Sequence, residues 1–245
     1  MKALIDGDIL VYRVACTCED EVEQVAYWRM EDTLKDIKEA TNTDNSVLYL
    51  TGRNNFRRII DPTYKANRPE ERPKHWQACR DYLVNKHKAV LIDGFEADDA
   101  MGWDQTDETI ICTNDKDLLM IPGKHYNWVK KEFKTVTESE GMQTFFRQLL
   151  IGDVSDNVFG IFGIGPKKAE KALGELFTFG ELFDKVRSMY DDDKRLLLNC
   201  DLLWIMRKGG ETWGDRFPSS ASLLRSTDEK LQSEQQQASE GQAEI

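Results

Sequence analysis

Acidic residues occur in short runs along this chain, and their spacing is the first indication of chemistry. Four of the seven residues in "DGFEADD" (93–99) are acids, although the run lies between the apolar segments "AVLI" and "AMGW". Other acids stand in "LIDGD" (4–8), "TNDKD" (113–117) and "GDVSDN" (152–157). Carboxylates held together raise one another's pKa or bind cations, and such oxygen donors suit hard ions such as Mg²⁺ or Mn²⁺. These runs are therefore candidate metal ligands.

Three of the acidic runs follow segments with the pattern of β-strands. The segments are short, apolar and rich in β-branched residues: "KALID" (2–6), "SVLYLT" (46–51), "AVLID" (89–93) and "TIICT" (109–113). Helical patterns lie between them, with apolar residues at helical spacing from Val22 to Ile37 and further helices at 72–86 and 96–105. The alternation predicts an α/β fold, a parallel sheet with helices on both faces.

Parallel strands all end at the same edge of the sheet, so acids that follow different strands are expected to lie close together. Ligands of such sheets bind beyond this carboxyl edge. The acids that follow predicted strands are Asp6, Glu96, Asp98, Asp99, Asp115 and Asp117. Two divalent ions about 4 Å apart can activate a water and stabilise the leaving oxygen of a phosphodiester. A simpler interpretation is that acids favour helix N-termini by about 0.3–1 kcal/mol each. That accounts for one acid, and it does not account for acids after three strands.

Charge is unevenly distributed along the chain. The net charge of the 245 residues is −11, yet residues 53–88 hold ten basic and four acidic residues, a net charge of +6. Two interpretations of this segment stay open, a solvated helix face and a strip that contacts phosphates. Within it, "DPTYKANRP" (61–69) carries Lys65 and Arg68 at i, i+3 spacing. From a helix near the acids they could polarise a phosphate, or they could be ordinary surface cations.

From about residue 138 the sequence is helical, and a turn-rich segment follows the last acidic run. Asp153 and Asp156 are three residues apart and share one face of a helix or turn. In "VFGIFGIGPKKAEKAL" (158–173), three glycines mark tight turns between two short helices, and Pro166 suits a first helical turn. Turn amides and nearby lysines can bind a DNA phosphate. The anion site is expected at the turns marked by Gly160, Gly163 and Gly165, with Lys167, Lys168 and Lys171 close by.

Composition indicates a soluble protein of a reducing, cytoplasmic compartment. Acids by position 6 are unlike a signal peptide, and no apolar stretch approaches the roughly 20 residues that span a bilayer. The five cysteines include no CxxC pair and the three histidines are scattered, so no zinc site is expected. Residues 218–245, rich in Ser, Gln and Glu, are expected to be a disordered tail. The tail is either a plain flexible terminus or a docking peptide for a replication protein.

The order of these motifs resembles that of a known superfamily. "IDGD", "YKANR", "EADD", "TNDKD" and "GDVSDN…GIGPKKA" together are similar to the motifs of 5′ nucleases. These comprise flap endonucleases, the 5′ nuclease domains of bacterial polymerases, and phage 5′→3′ exonucleases, whose compact length is most similar. The resemblance covers roughly residues 1–210. It implies a PIN-like, Rossmann-like catalytic domain at 1–137, then a helical region at 138–217 with a helix–three-turn–helix element at about 151–174.

The resemblance also implies roles for single residues. The acids of a first metal site are matched by Asp6, Glu96, Asp98 and Asp99, and those of a second by Asp115, Asp117, Asp153 and Asp156. Lys65 and Arg68 match the catalytic basic residues. The expected DNA contacts are Tyr64, Arg57, Arg58, Gly163, Gly165, Lys167 and Lys168. The turn-rich element is expected to grip duplex DNA and to hold a monovalent cation such as K⁺.

Two features depart from the superfamily pattern. Gly52 stands where many relatives carry an Asp after the second strand, so the first metal ion is expected to be held more weakly or through water. Only about 26 residues separate Arg68 from Phe95, which leaves little room for a long helical arch. Two routes for the substrate therefore remain as alternatives. A 5′ strand could thread through a closed arch, or it could enter an open clamp.

The resemblance implies a two-metal 5′→3′ exonuclease or flap endonuclease that cuts DNA near 5′ ends, flaps and nicks in replication, repair or recombination. RNA primers in RNA–DNA hybrids are a further expected substrate. One alternative is a non-catalytic junction-binding replication accessory that lost activity with the acid at position 52. Another is a PIN-type ribonuclease, which generally lacks the C-terminal turn-rich element.

Overall fold

The computed structural model describes residues 1–226, with a six-stranded sheet at its centre in the order β3-β2-β1-β4-β5-β6. Strands β1 to β5 run parallel, and β6 is antiparallel to β5. The strands are β1 (Lys2–Asp6), β2 (Ser46–Thr51), β3 (Val90–Ile92), β4 (Thr109–Cys112), β5 (Gly123–Asn127) and β6 (Glu132–Val136). The predicted α/β class and four predicted strands are confirmed, whereas β5 and β6 lie outside the sequence prediction.

Helices pack on both faces of this sheet. Their bounds are α1 (Gly7–Thr17), α2 (Glu23–Thr41), α3 (Phe56–Ile60), α4 (Trp76–His87), α5 (Ala97–Asp104), α6 (Glu138–Ile151), α7 (Pro166–Leu173), α8 (Phe179–Met189), α9 (Asp193–Leu203) and α10 (Trp213–Arg216). A two-stranded ribbon, β7 (Gly152–Asp153) with β8 (Val158–Phe159), follows α6. Within residues 1–226, none of the helices is long and apolar enough to cross a membrane.

The alternation of side chains along the strands divides the core into two parts. Ala3 and Ile5 of β1 lie in a cluster with apolar residues of α1, α2 and α4. Leu4, which points to the other face, belongs to a cluster with Phe145 of α6 and Trp204. The second cluster therefore runs from the sheet into the helical region without a break, and the expected boundary at residue 137 stays a prediction.

The C-terminal end of the described chain departs from the sequence prediction. Residues 218–226 are helical, and Ala221 and Leu224 in this stretch are buried against the core. The expected disordered tail therefore cannot begin at residue 218. The rest of that expected tail, 227–245, lies outside the described residues.

The connection between Arg68 and α4 is short and irregular. The backbone N–H of Lys74 donates to the carboxylate of Glu19 (3.2 Å), and His75 Nε2 lies 2.9 Å from the carbonyl oxygen of Glu21. These contacts hold the connection against the loop after α1. In the described chain no helix lies between α3 and α4, so a long helical arch is not formed here.

Candidate active site

The first acid of the site is fixed by the junction of β1 and α1. Asp6 is almost fully buried, and its Oδ1 accepts the N–H of Ile9 (2.9 Å), which caps the N-terminus of α1. Its Oδ2 accepts the hydroxyl of Thr113 (2.7 Å), just beyond β4. Because β1 and β4 are parallel neighbours, Asp115 follows at the same edge. We call this the acidic edge: it holds Asp6, Glu96, Asp98, Asp115, Asp117, Asp153 and Asp156.

Three carboxyls at the acidic edge repel one another. Burial raises the pKa of Asp6 to about 7, with further increases from the charges of Asp8 and Asp115. Burial also raises the pKa of Asp98 well above its ordinary range, and the charges of Asp6 and Asp115 add to the effect. The structure therefore brings Asp6, Asp98 and Asp115 together in space although they lie far apart in sequence.

A second pair of acids lies beside the first group. Asp117 begins a 3₁₀ turn (Asp117–Met120), and its N–H donates to Asp115 Oδ1 (2.9 Å). Burial, the charge of Asp115 and a hydrogen bond with Asp153 raise the pKa of Asp117 to about 8. Burial would also raise the pKa of Asp153, but hydrogen bonds from Ser155 and Asp117 outweigh it and lower that pKa. The pKa values of the two neighbouring carboxyls are therefore shifted in opposite directions, upward for Asp117 and downward for Asp153.

The remaining two acids pair with cations from residues 61–69. Lys65 Nζ contacts the carboxylate of Glu96 and lies 3.5 Å from Asp156 Oδ2, while Arg68 Nη2 lies 2.6 Å from Asp156 Oδ1. Burial would raise the pKa of Glu96, but the charges of Lys65 and Arg57 lower it to about 2. Both predicted catalytic cations therefore lie at the acidic edge.

The backbone at Lys65 has an unusual conformation. Its φ of 58° is in the left-handed region, which side chains other than glycine rarely adopt. The N–H of Lys65 donates to the carbonyl oxygen of Asp156 (2.8 Å) and holds this conformation. Residues 62–67 form turns, so the helix expected to carry Lys65 and Arg68 is absent there. Strained backbone of this kind concentrates at functional sites.

Asp99 is a correction to the predicted first metal site. The side chain is fully buried, and its two oxygens accept Arg57 Nη1 (2.6 Å) and Nη2 (2.9 Å). Those oxygens also accept the N–H groups of Glu96 (3.1 Å) and Met206 (3.0 Å). Because both oxygens pair with the positively charged Arg57 guanidinium and each accepts a further backbone N–H, Asp99 is a structural residue and not a metal ligand.

Two predicted DNA contacts are corrected for the same reason. Arg57 is 2% exposed, and besides Asp99 it donates to the carbonyl oxygens of Leu202 (2.8 Å) and Trp204 (2.6 Å). Tyr64 is also 2% exposed, with its hydroxyl 3.0 Å from Glu96 Oε2 and 2.8 Å from Asp156 Oδ2. Tyr64 therefore positions two acids of the site, and both side chains are too buried to offer a contact surface.

The other predicted DNA contacts lie where a ligand can reach them. Arg58, Gly163, Lys167 and Lys168 are exposed, and Gly165 is partly exposed. Gly163 has a φ of +76°, and Lys168 Nζ donates to its carbonyl oxygen (2.7 Å). Whether these residues contact DNA stays a prediction.

The α6–α7 hairpin, residues 152–165, is a compact unit. Gly152 and Gly160 face each other across the ribbon, and a Cβ on Gly160 would lie 2.4 Å from Gly152 N. The first of the two helices, α6, has 14 residues and is longer than the short helix expected. The hairpin therefore carries Asp153 and Asp156 of the acidic edge in its first residues.

Gly52 lies in a tight place at the end of β2. A Cβ on Gly52 would lie 2.2 Å from Asp93 Oδ1, an oxygen that accepts the N–H of Arg53 (2.8 Å). Asp93 thus closes the turn, and no side chain fits at position 52. The absence of an acid there is therefore built into the local packing.

The donors at the acidic edge fit hard divalent cations. All are carboxylate oxygens, and the raised pKa values of Asp6 and Asp117 mark repulsion that a bound cation would relieve. Within residues 1–226, no three such side chains are arranged to hold one ion together in this conformation. Instead, Lys65 forms an ion pair with Glu96, and Arg68 forms one with Asp156.

Sequence reasoning misses Thr113 and the roles of Tyr64 and Arg57 at this edge. Thr113 follows β4 directly, so the rule that predicts Asp115 there applies to it as well. No sequence signal distinguishes a buried Arg57 from its exposed neighbour Arg58, because the partner Asp99 lies 42 residues away.

Comparison with known proteins agrees with this geometry. Residues 2–146 match the family model of the 5′-3′ exonuclease N-terminal resolvase-like domain. The 5′-3′ exonuclease of Mycoplasmopsis pulmonis is 26% identical over 208 residues, covering 76% of this chain and 70% of the relative. DNA polymerase I of Rhizobium leguminosarum is 30% identical over an alignment of 203 residues, with 70% of this chain and only 20% of the polymerase covered. The chain thus spans about a fifth of that polymerase.

Solved structures show the same fold. The bacteriophage T5 flap endonuclease in complex with DNA and metal ions has a TM-score of 0.63 and 16% identity, over 81% of this chain and 86% of that one. The T5 5′-exonuclease with bound zinc has a TM-score of 0.63 and 17% identity, over 83% and 89%. Since the family model matches more than half of the chain, this protein belongs to the 5′-3′ exonuclease family with a resolvase-like N-terminal domain.

Proposed function

We propose that this chain is a divalent-metal-dependent 5′→3′ exonuclease and flap endonuclease that hydrolyses DNA. The observation that carries the proposal is the acidic edge, where buried carboxyls from four separate segments meet the cations Lys65 and Arg68. Burying several like charges is costly unless cations compensate them. Family membership supports the same reaction class.

The residues would divide the work by their position. Asp6, Glu96 and Asp98 would hold one Mg²⁺ or Mn²⁺, and a second would be held by Asp115, Asp117, Asp153 and Asp156. Bound divalent ions would supply an activated water and stabilise the leaving oxygen of the phosphodiester. Lys65 and Arg68 would stabilise the negative charge that develops on the phosphate, since their cationic groups lie at the same edge. Products would carry 5′-phosphate and 3′-hydroxyl ends.

The proposed substrate is DNA with a 5′ end in or beside a duplex, such as a flap, a nick or a blunt end. The structurally similar T5 enzyme has been solved with DNA and metal ions. The exposed Lys167 and Lys168 support a phosphate contact at the α6–α7 hairpin, where K⁺ could bind as well. We extend the proposal to RNA primers in hybrids, and to a role in replication, repair or recombination.

We also propose that the protein acts in the cytoplasm of a bacterial host and is phage-encoded, which the similarity of fold to T5 enzymes supports. A replication protein docking on the C-terminal tail remains a proposal, and most of that tail lies beyond the described residues.

The test uses 5′-labelled flap and nicked duplexes, incubated with Mg²⁺ or with EDTA. We expect short labelled products only when Mg²⁺ is present. The cleavage rate of Asp115→Ala should be at least 100-fold below that of the wild type. The matched control is Asp107→Ala, because Asp107 is an exposed acid before β4, at the opposite end of that strand. No cleavage by the wild type, or equal cleavage by Asp115→Ala, would contradict the proposal. Binding of flaps without cleavage would instead indicate a non-catalytic binder.

A further inference from the structure

The tip of the α6–α7 hairpin presents aromatic rings to solvent. Phe162 is fully exposed, and Phe159 is 68% exposed. Burial of a Phe side chain is favourable by roughly 1.5–3 kcal/mol, so a ring held entirely in water is a candidate contact residue. The site described above uses neither ring.

The ring of Phe162 stands on a rigid support. Ile161 and Ile164, on either side of it, pack against the core, and the N–H of Ile161 donates to the carbonyl oxygen of Leu150 (2.8 Å). The loop is also tied to α9: Asn199 donates to the carbonyl oxygen of Phe159 (2.9 Å), and Arg195 donates to that of Gly160. The neighbours of Phe162 therefore point inward, and its own ring is fixed in an outward position.

The surroundings of the ring favour an anionic partner. Residues 157–169 contain no acid, in a chain with a net charge of −11, and they contain Lys167 and Lys168. Both lysines are exposed in the first turn of α7. A protein partner would bury about 800 Å² on each side, more than two rings supply. Apolar side chains flanked by cations instead fit a DNA groove, whose floor is apolar and whose rims are phosphates.

We propose that Phe162 is a duplex-contact residue whose ring packs against sugars and base edges in the minor groove, while Lys167 and Lys168 face the adjacent phosphates. The inference rests on the proposed function, because it assigns a DNA contact to the same substrate. Phe162 thereby sets how tightly, and at what position, the duplex is held beside the acidic edge.

The experiment measures binding of a labelled blunt duplex and of single-stranded DNA by fluorescence anisotropy, with Ca²⁺ in place of Mg²⁺. We expect Phe162→Ala to raise the Kd for the duplex about tenfold, with much less effect on single strands. Phe162→Trp should retain the affinity. The matched control is Phe177→Ala, since Phe177 is 65% exposed but lies between α7 and α8, and its Kd should stay within twofold.

Salt dependence separates the two kinds of contact. Phe162→Ala should leave the slope of log Kd against log salt unchanged, whereas Lys167→Ala should lower it by about one unit. A duplex Kd within twofold of wild type, or an equal loss on single and double strands, would overturn the inference. These outcomes do not depend on cleavage, so they are distinguishable from failure of the proposed function. If the wild type binds in a Phe162-dependent manner and never cuts, only the proposed function fails.

Discussion

At the scale of single residues, Asp6 has one effect that stabilises the fold and one that destabilises it. Its Oδ1 caps α1, which stabilises the fold, while burial beside Asp8 and Asp115 raises its pKa to about 7. A carboxyl with a raised pKa in the folded state favours folding below its unfolded pKa of about 3.9 and loses that contribution as pH rises through 7. At pH 8 without metal, the charged Asp6 therefore destabilises the protein.

We predict that Asp6→Asn raises Tm in EDTA at pH 8 by about 2–8 °C, and raises it less at pH 5. Asn is an equally good N-cap, so the helix contact is kept while the charge is removed. The same variant should lose cleavage in Mg²⁺. Thermal melts of wild type, Asp6→Asn and Asp107→Asn at both pH values measure the effect. An equal Tm change at pH 5 and pH 8 would show that the buried charge is not its source.

At the scale of elements, one buried ion pair joins three parts of the chain. Arg57 of α3 and Asp99 of α5 form two hydrogen bonds. Arg57 also contacts Leu202 at the end of α9 and Trp204 just after it, and Asp99 contacts Met206. Because Glu96 is the N-cap of α5, this pair also fixes the position of an acid of the site.

We predict that Asp99→Ala lowers the free energy of unfolding by about 3–5 kcal/mol, since it removes the carboxylate that accepts two hydrogen bonds from the buried Arg57 guanidinium. Urea titration measures this, with Arg58→Ala as the control because Arg58 is exposed and should change stability by less than about 0.5 kcal/mol. If Asp99 were a metal ligand, the opposite would be seen: stability in EDTA would be unchanged, and cleavage would be lost.

At the scale of the whole molecule, the chain beyond the acidic edge is too short to enclose a strand. Five residues, 69–73, join Arg68 at the site to Lys74 at the loop after α1, and two of them are prolines. Five residues reach at most about 18 Å when fully extended, and proline is excluded from a helix interior. A substrate can therefore enter this edge from the side.

We predict that a flap whose 5′ end carries biotin bound by streptavidin is cut within about threefold of the rate of the free flap. Single-turnover cleavage with streptavidin added before the enzyme provides the measurement, and the biotinylated flap without streptavidin is the control. A loss of 100-fold or more would mean that the 5′ end must be threaded and that another segment closes over the site.

Much of the architecture follows from local patterns. The apolar β-branched runs at 2–6, 46–51, 89–93 and 109–113 predict strands that form. In β1, β2 and β4, successive buried side chains alternate between the two faces of the sheet, whereas Val90 and Leu91 of the edge strand β3 are exposed. Parallel strands share one carboxyl edge, so the convergence of Asp6, Asp98 and Asp115 follows from chain order alone. Neither β5 nor β6 is apolar enough to be predicted. The helical residues 218–226 bury Ala221 and Leu224 against the core, which is a tertiary contact.

The sequence by itself determined which acids reach the edge of the sheet, since strand direction fixes that. Only the tertiary structure decided what each acid does there. Asp98 and Asp99 are adjacent in sequence, yet Asp99 turns inward to Arg57 while Asp98 remains partly exposed beside Asp6 and Asp115. Tyr64 likewise bridges Glu96 and Asp156, 32 and 92 residues away. Such pairings depend on packing between distant segments, and local spacing carries no information about them.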